Sequence, residues 1–364
     1  HSLHILLSSK LLELLPNDLD DMFSPNTPRE LAKLFGETKK IILLWSATWW
    51  HVMPIIAFTK HLPDKEYIYI TAPDSLEEKM ARSNHISAII APIERLRDTS
   101  FGAKIRYIYS FFPLFFWGIH KFSLLKKQWY YLIMSKGWPG SVPLSLAGKV
   151  LWMQLAIHES DTIPGKANRF LGKIADIILL WYDDASKYFP GMNALVIGQI
   201  LDPVWYKHDE ISSNITWKTN LRHILVICGS QGSRAIFEEL SHTIGSIDAE
   251  FKIILGTLNQ DMKALFDQYS HVEAIDWIES QDLLCILQDT DLVVTRWSAT
   301  TLAELSTSSA HFIIIPLPDA MNNHQYYNAL YYERLGHTVL PQSELSLLSQ
   351  KIKSRLLLLW KYKK

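Results

Sequence analysis

Lys40-Ile41-Ile42-Leu43-Leu44, followed by Trp45-Ser46-Ala47-Thr48-Trp49-Trp50-His51-Val52-Met53-Pro54, is the stretch on which the architecture turns. A short run of apolar residues with no polar alternation suits a strand buried on both faces, and such strands belong to parallel sheets. The loop after it leads into a helical pattern at Met53–Leu62. Comparable runs recur at Tyr67–Ile70, Ile86–Ala91, Leu151–Ile157, Ile177–Leu180, Ala194–Ile197, His223–Cys228, Phe251–Leu255, Asp291–Thr295 and Phe312–Pro316. Helix-like stretches separate most of them. This alternation predicts a doubly wound α/β fold with ligands at the carboxyl ends of the strands. The strand–loop–helix start repeats at His223–Glu239, so two Rossmann-like halves are expected, residues 39–200 and 201–364. Residues 1–38 precede them as an extension without visible chemistry, helical at Leu11–Leu15 and Pro-rich at Ser24–Pro28.

The 364 residues are comfortable for two domains. With 48% hydrophobic and 20% charged residues the chain can fill sizeable cores and is not a disordered polymer. A net charge of −1 carries no electrostatic footprint for nucleic acid. Cys228 and Cys285 suit reduced thiols rather than a disulfide framework. No His, Cys, Asp and Glu fall at metal-ligand spacing, so neither a metal nor another cofactor is expected. His1-Ser2-Leu3 lacks an initiator Met and a signal-peptide pattern, and reads as a fragment end or an imprecise gene start.

The segment Arg97–Lys136 stands apart. It holds seven Lys or Arg against one Asp, and twelve aromatics lie between Phe101 and Tyr131. Its uncharged run, Tyr107–Ile119, is too short to span a bilayer. Basic and aromatic together, it suits the headgroup region of an anionic membrane; an ordinary helix packed on a sheet is the alternative.

Several loops carry polar chemistry. Gly229-Ser230-Gln231-Gly232 follows an apolar run and precedes a helix, where backbone N–H groups favour a diphosphate and Ser230 adds a hydroxyl. A plain strand–helix turn is the competing reading. Gln325 and Asn328, three apart, share a helix face. His51 has an imidazole suited to deprotonating a hydroxyl near neutral pH, or to orienting its loop. Glu304, in a helix opened by Thr300-Thr301, would on its own be a solvated charge.

In order, these loops resemble those of the MurG family, the peptidoglycan N-acetylglucosaminyltransferases. Trp45–Pro54 is similar to G-G-T-G-G-H-V-x-P. His158-Glu159-Ser160-Asp161 with Pro164-Gly165-Lys166-Ala167-Asn168-Arg169 resembles H-E-Q-N … P-G-x-A-N-R. Gly229–Arg234 resembles the G-S-Q-G-A-R loop, Arg296-Trp297-Ser298-Ala299-Thr300-Thr301-Leu302-Ala303-Glu304 resembles R-x-G-A-T-T-L-A-E, and Asn323–Ala329 resembles N-H-Q-x-x-N-A. The resemblance runs over about residues 40–345. It implies a GT-B glycosyltransferase, two Rossmann-like domains with a cleft between them. The implied reaction is inverting transfer of N-acetylglucosamine from its UDP donor to the 4-hydroxyl of an undecaprenyl-pyrophosphoryl-N-acetylmuramoyl-pentapeptide. It would proceed at the cytoplasmic face of the cell membrane, with residues 97–136 against the inner leaflet. By resemblance His51 is the general base. Thr48, Trp49, Trp50, Asp161, Ser230, Ile278, Ala299, Thr300, Thr301, Glu304 and Gln325 meet the donor, Glu304 taking the ribose hydroxyls and the Ile278 backbone the uracil. Glu159, Asn168 and Asn328 lie on the acceptor side. Another GT-B transferase of lipid acceptors is the alternative enzyme.

The departures are informative. Trp45, Trp49 and Trp50 stand where the family has glycine, Trp138 falls in its Gly-Gly-Tyr-Val-Ser-Gly-Pro loop, and Trp297 is offset by one from another glycine. Asp161 replaces an Asn, and Gly198–Pro203 matches the family's G-N-P-V-R poorly, leaving its Arg without a counterpart. Indoles in these loops would fill the site and forbid the dihedrals glycine allows. Either the protein is a degenerate, non-catalytic homologue, or these positions are UGA codons that the cell reads as glycine. Composition favours the second reading: 15 Gly and 13 Trp together make about 7.7% of the chain, near an ordinary glycine share alone.

Overall fold

The computed structural model describes residues 27–44, 49–93, 101–206, 213, 215–219, 221–318 and 324–362. Two parallel sheets organise them. The first contains β1 (Lys40–Leu44), β2 (Glu66–Thr71), β3 (Ser87–Ile90), β4 (Leu132–Ser135), β5 (Gln154–Glu159), β6 (Ile177–Leu180) and β7 (Ala194–Val196). Its order is β3-β2-β1-β4-β5-β6-β7. The second contains β8 (His223–Ile227), β9 (Glu250–Ile254), β10 (Val272–Ile275), β11 (Leu292–Arg296), β12 (His311–Ile315) and β13 (Thr338–Val339), in the order β10-β9-β8-β11-β12-β13. In each, the order reverses beside the first strand, at β1/β4 and at β8/β11. Those are the switch points where doubly wound sheets open a crevice for ligands.

Burial on both faces explains the unbroken apolar runs. Ile42 and Leu44 join one core with Phe122, Ile133 and Leu155, while Ile41 and Leu43 join another with Val52, Ile55 and Phe58. β8 repeats the division: Leu225 and Ile227 point to one side, Ile224 and Val226 to the other. The helix Thr27–Phe35 seats Leu31 and Phe35 in the first domain's core, so this part of the expected extension belongs to that domain. The pattern at Leu11–Leu15 lies outside the described residues.

The basic, aromatic segment resolves into two elements. Helix Phe101–Lys126 buries Leu114, Phe122 and Leu125 and packs closely on helix Ser141–Val150, where a Cβ on Gly118 would come within 2.9 Å of the Ala147 Cβ. The same helix leaves Ile108, Tyr109, Phe112 and Phe116 exposed along one stripe. Leu132–Ser135, at its end, is the fully buried central strand β4, paired with both β1 and β5. The apolar run expected from Leu151 becomes a strand only at Gln154, because Leu151 and Trp152 close the preceding helix. The final helix, Leu348–Tyr362, packs Leu348 and Ile352 into the second domain's core.

The domains share an apolar seam. Trp181 and Tyr182, just after β6, stack at 4.7 Å, and Tyr182 meets Tyr331 of helix His324–Arg334 edge-on at 4.6 Å.

Candidate active site

At the β8/β11 switch point, the loop Cys228–Ser233 joins β8 to helix Arg234–Thr243. Gly229 and Gly232 have φ of +76° and +74°. A Cβ on Gly232 would lie 1.9 Å from the Leu255 carbonyl oxygen, so glycine alone fits there. The loop is braced from behind: Thr257 donates its N–H to the Ser230 carbonyl at 2.9 Å, and Asn259 Nδ2 donates to the Gln231 carbonyl at 2.6 Å. These contacts use the backbone of Ser230 and leave its hydroxyl for a ligand, at the foot of a helix whose N–H groups favour anions.

Beside this loop, Arg296 ends β11 and donates from Nη2 and Nε to the Ser233 hydroxyl, at 2.6 and 3.1 Å. Its Nη1 is buried without a partner among the described residues, as are Trp297 Nε1, Ser298 Oγ and Thr300 Oγ1. Buried polar atoms are rarely left unpaired. Four in five consecutive residues leave bonding capacity that a polar ligand could take up.

Thr300, Thr301 and Glu304 follow on helix Ala299–Leu305, with both threonines buried; Ala299 is its first residue. Burial pushes the Glu304 carboxyl up to about 8, and the negative charge of Asp202 adds to the effect. Among the described residues no donor is bonded to that carboxylate. Asp202 in turn pairs with Lys60 of the first domain at 2.5 Å. Ile278, in the loop after β10, turns its side chain into the core. Gln325 is half-exposed and accepts the Leu317 N–H at 2.9 Å, which keeps its Nε2 as a donor.

At the opposing switch point, Thr48 and Trp45 lie outside the described residues. Trp49, Trp50 and His51 form the first turn of helix Trp49–His61, at the carboxyl end of β1. Trp138 follows β4 and lies over Gly140, its ring 1.8 Å from where a Gly140 Cβ would sit, beside Leu44, Ile70 and Leu144.

The residues expected on the acceptor side are buried and hold loops together. Glu159 Oε1 accepts the N–H groups of Ser160 and Asp161 at 2.8 and 2.9 Å; its Oε2 accepts from Gly165 N–H at 3.1 Å and Asn168 Nδ2 at 2.9 Å. Asn168 Nδ2 also reaches the Lys136 carbonyl at 3.1 Å, tying the ends of β4 and β5. Its Oδ1 fills the space beside Gly137, which is why that position, at φ +76°, has no side chain. Burial and the neighbouring Asp161 raise the Glu159 carboxyl to about 7. Asn328, fully buried, bonds Thr162 and Asp161 across the two domains. Asp161, expected at the donor sugar, thus has one oxygen engaged by Asn328.

The profile of the glycosyltransferase family 28 N-terminal domain matches residues 22–180, and that of its C-terminal domain matches residues 223–361. The chain belongs to glycosyltransferase family 28. Within the family it is similar to proteins named UDP-N-acetylglucosamine--N-acetylmuramyl-(pentapeptide) pyrophosphoryl-undecaprenol N-acetylglucosamine transferase. The one from Synechococcus sp. (strain JA-2-3B'a(2-13)) is 26% identical over 86% of this chain and 85% of its own. That of Wolbachia sp. subsp. Drosophila simulans (strain wRi) is 29% identical over 80% and 82%. Among solved structures, Acinetobacter baumannii MurG superposes with a TM-score of 0.68 at 20% identity, over 88% of this chain and 92% of that one. The glycosyltransferase of kitacinnamycin superposes at 0.60 and 12%, over 89% and 94%. Both share the two-domain GT-B architecture seen here.

Family motifs pointed to most of these positions but not to the bonds among them. Arg296 heads a motif at a strand's carboxyl end, a signal that marked the residue without its Ser233 partner. Thr162 carried no signal; its role appears only through Asn328. Among the described residues no group of His, Cys, Asp and Glu is placed to hold a metal.

Proposed function

We propose that this chain transfers N-acetylglucosamine from UDP-N-acetylglucosamine to a pyrophosphoryl-undecaprenol-linked N-acetylmuramyl acceptor, the step its relatives are named for. The observation that carries the reading is the β8/β11 switch point. There a glycine-formed anion loop adjoins four buried, unpaired polar atoms and an unbonded carboxylate. A uridine diphosphate sugar supplies what that set lacks: a diphosphate for the loop and Ser230, and ribose hydroxyls for Glu304. Gln325 and Asp161 suit the sugar. No step here calls for a metal, because the loop N–H groups and Arg296 oppose the charge that develops on the leaving UDP. His51, at the start of the opposing helix, is the residue we assign to take the acceptor proton.

The exposed stripe Ile108, Tyr109, Phe112 and Phe116 supports contact with a lipid surface, with the exposed Lys127 just past the helix end for anionic headgroups. Among the described residues no helix is long and apolar enough to cross a membrane. We place the enzyme at the cytoplasmic face of the cell membrane, where the lipid-linked acceptor would present its sugar to the cleft.

The test is transfer of labelled N-acetylglucosamine to the muramyl lipid acceptor, run beside a diacylglycerol acceptor. Product on the first alone is expected; product only on the second would replace this reading with that of a glycolipid synthase.

A further inference from the structure

Four helices end in the same hydrogen-bonded closure. Ile86 N–H returns to the Ala81 carbonyl while His85 N–H bonds Arg82; Tyr130 returns to Leu125 while Trp129 bonds Lys126; Met153 returns to Gly148 while Trp152 bonds Lys149; His337 returns to Tyr332 while Gly336 bonds Glu333. This pairing is the Schellman motif, and its penultimate residue must take the left-handed conformation. The four residues at that position are His85 at φ +58°, Trp129 at +71°, Trp152 at +59° and Gly336 at +94°.

Glycine is the default there, and short polar residues or His are tolerated. Tryptophan is neither. Asp74 and His85 are the other non-glycine residues with positive φ among those described, and both are tolerated types. Little offsets the conformation at the two tryptophans. Trp152 is 88% exposed with no ring contact among the described residues, and Trp129 is 72% exposed with one edge-on contact, to the Tyr131 ring at 6.1 Å. A large apolar ring on the surface, on a backbone that disfavours any β-carbon, fills no core at either place.

Other tryptophans are different in kind. Trp205 is 1% exposed inside the core, and Trp217 stacks on His223 at 4.5 Å and donates Nε1 to the Ile286 carbonyl at 3.1 Å. These rings are required by their surroundings.

We infer that Trp129 and Trp152 are glycines in the protein its own cell makes, encoded by UGA triplets which that cell reads as glycine, whereas Trp205 and Trp217 are encoded by UGG. These two helix ends belong to no ligand motif, so the argument is independent of the loop comparison at Trp49, Trp50 and Trp138 and of the proposed reaction. Applied to those loops, the same decoding restores glycine at the start of helix Trp49–His61 and after β4.

The test is the gene sequence at the four codons, together with peptide mass spectrometry of the protein isolated from its native cells. UGA at 129 and 152 with glycine in the peptides, and UGG with tryptophan at 205 and 217, is the expected result. UGG at 129 and 152, or tryptophan in those native peptides, would overturn the inference whatever the enzyme's activity. UGA at all four codons would also defeat it, since the structural distinction between the two classes would then mean nothing. In chain made with tryptophan throughout, Trp129→Gly and Trp152→Gly should each raise the melting temperature by a few degrees, while Trp205→Gly lowers it. A lower melting temperature in both of the first two variants would remove the conformational argument.

Discussion

Asn328 of the second domain donates from Nδ2 to Asp161 Oδ1 of the first at 2.9 Å, while its own Oδ1 accepts Thr162 N–H at 2.8 Å and the Thr162 hydroxyl at 2.6 Å. One buried amide thus satisfies three groups on the opposite side of the cleft. Asn328→Ala strands the Thr162 N–H and should cost about 1–3 kcal/mol, read as a lower urea midpoint. Asn328→Asp sets a second carboxylate against Asp161 and should cost more at neutral pH, with part of the loss recovered as the pH falls and the pair shares a proton. A midpoint unchanged in both variants would show that the bridge contributes nothing to holding the domains.

Glu304 gives the donor site a pH dependence whose sign is fixed by its raised carboxyl. Its folded value, about 8, lies above the ordinary 4.5, so between the two the folded chain holds a proton that the unfolded chain has released. This group's contribution to stability therefore falls as pH rises through that window. Accepting two ribose hydroxyls needs the anion, so donor affinity should strengthen from pH 6 towards 8. Glu304→Gln should flatten both dependences, raise the unfolding midpoint, and weaken donor binding about tenfold, roughly 1.4 kcal/mol. Calorimetric titration of UDP-N-acetylglucosamine across pH is the measurement; a variant that binds as tightly as the parent would remove Glu304 from the ribose.

Where apolar runs were long and bracketed by polar loops, as at β1, β6 and β8, the strands could be read directly from the residues. β4 could not, although it lies at the centre of its sheet. Leu132-Ile133-Met134-Ser135 has only a few residues and adjoins a helix whose aromatic and basic side chains dominate any composition-based reading. β10 and β13 are edge strands, and burial marks them weakly. The site divides in the same way. Glycine loops and a carboxylate at a strand's end are local patterns, whereas the Glu159–Asn168 brace and the Asn328 bridge pair residues whose proximity only the folded sheets create. Asn328 and Asn168 were legible as polar positions in motifs, but nothing in the chain distinguished ligand contact from internal support.

The exposed stripe on helix Phe101–Lys126 makes a separable prediction. Phe112→Ser with Phe116→Ser removes two largely exposed rings that meet Phe111 and Phe115 edge-on at 5.5 and 5.4 Å, so stability should fall by no more than about 1–3 kcal/mol. Partial insertion of each ring would contribute on the order of 1–2 kcal/mol, so losing both should lower binding to anionic vesicles by about 30- to 1000-fold. Co-sedimentation at low and high salt separates the contributions: salt should weaken the parent through its lysines, while the double variant starts weak at both. Equal sedimentation of parent and variant would relocate any membrane contact to another face.

His51 is best tested with glycine at positions 49 and 50, so that its loop is open. In that background His51→Ala should lower kcat by about 10²- to 10⁴-fold, the usual range for a positioned general base, with the donor KM changed only a few-fold. The pH profile distinguishes catalysis from support. A general base acts only when deprotonated, so the parent's rate should fall towards acid pH, and the alanine variant should lose that limb along with most of its rate. If the residue only orients the helix start, then His51→Asn, which keeps a polar side chain of similar reach, should restore the rate. Restoration by Asn with the acid limb unchanged would assign the proton to another group on the opposing loops.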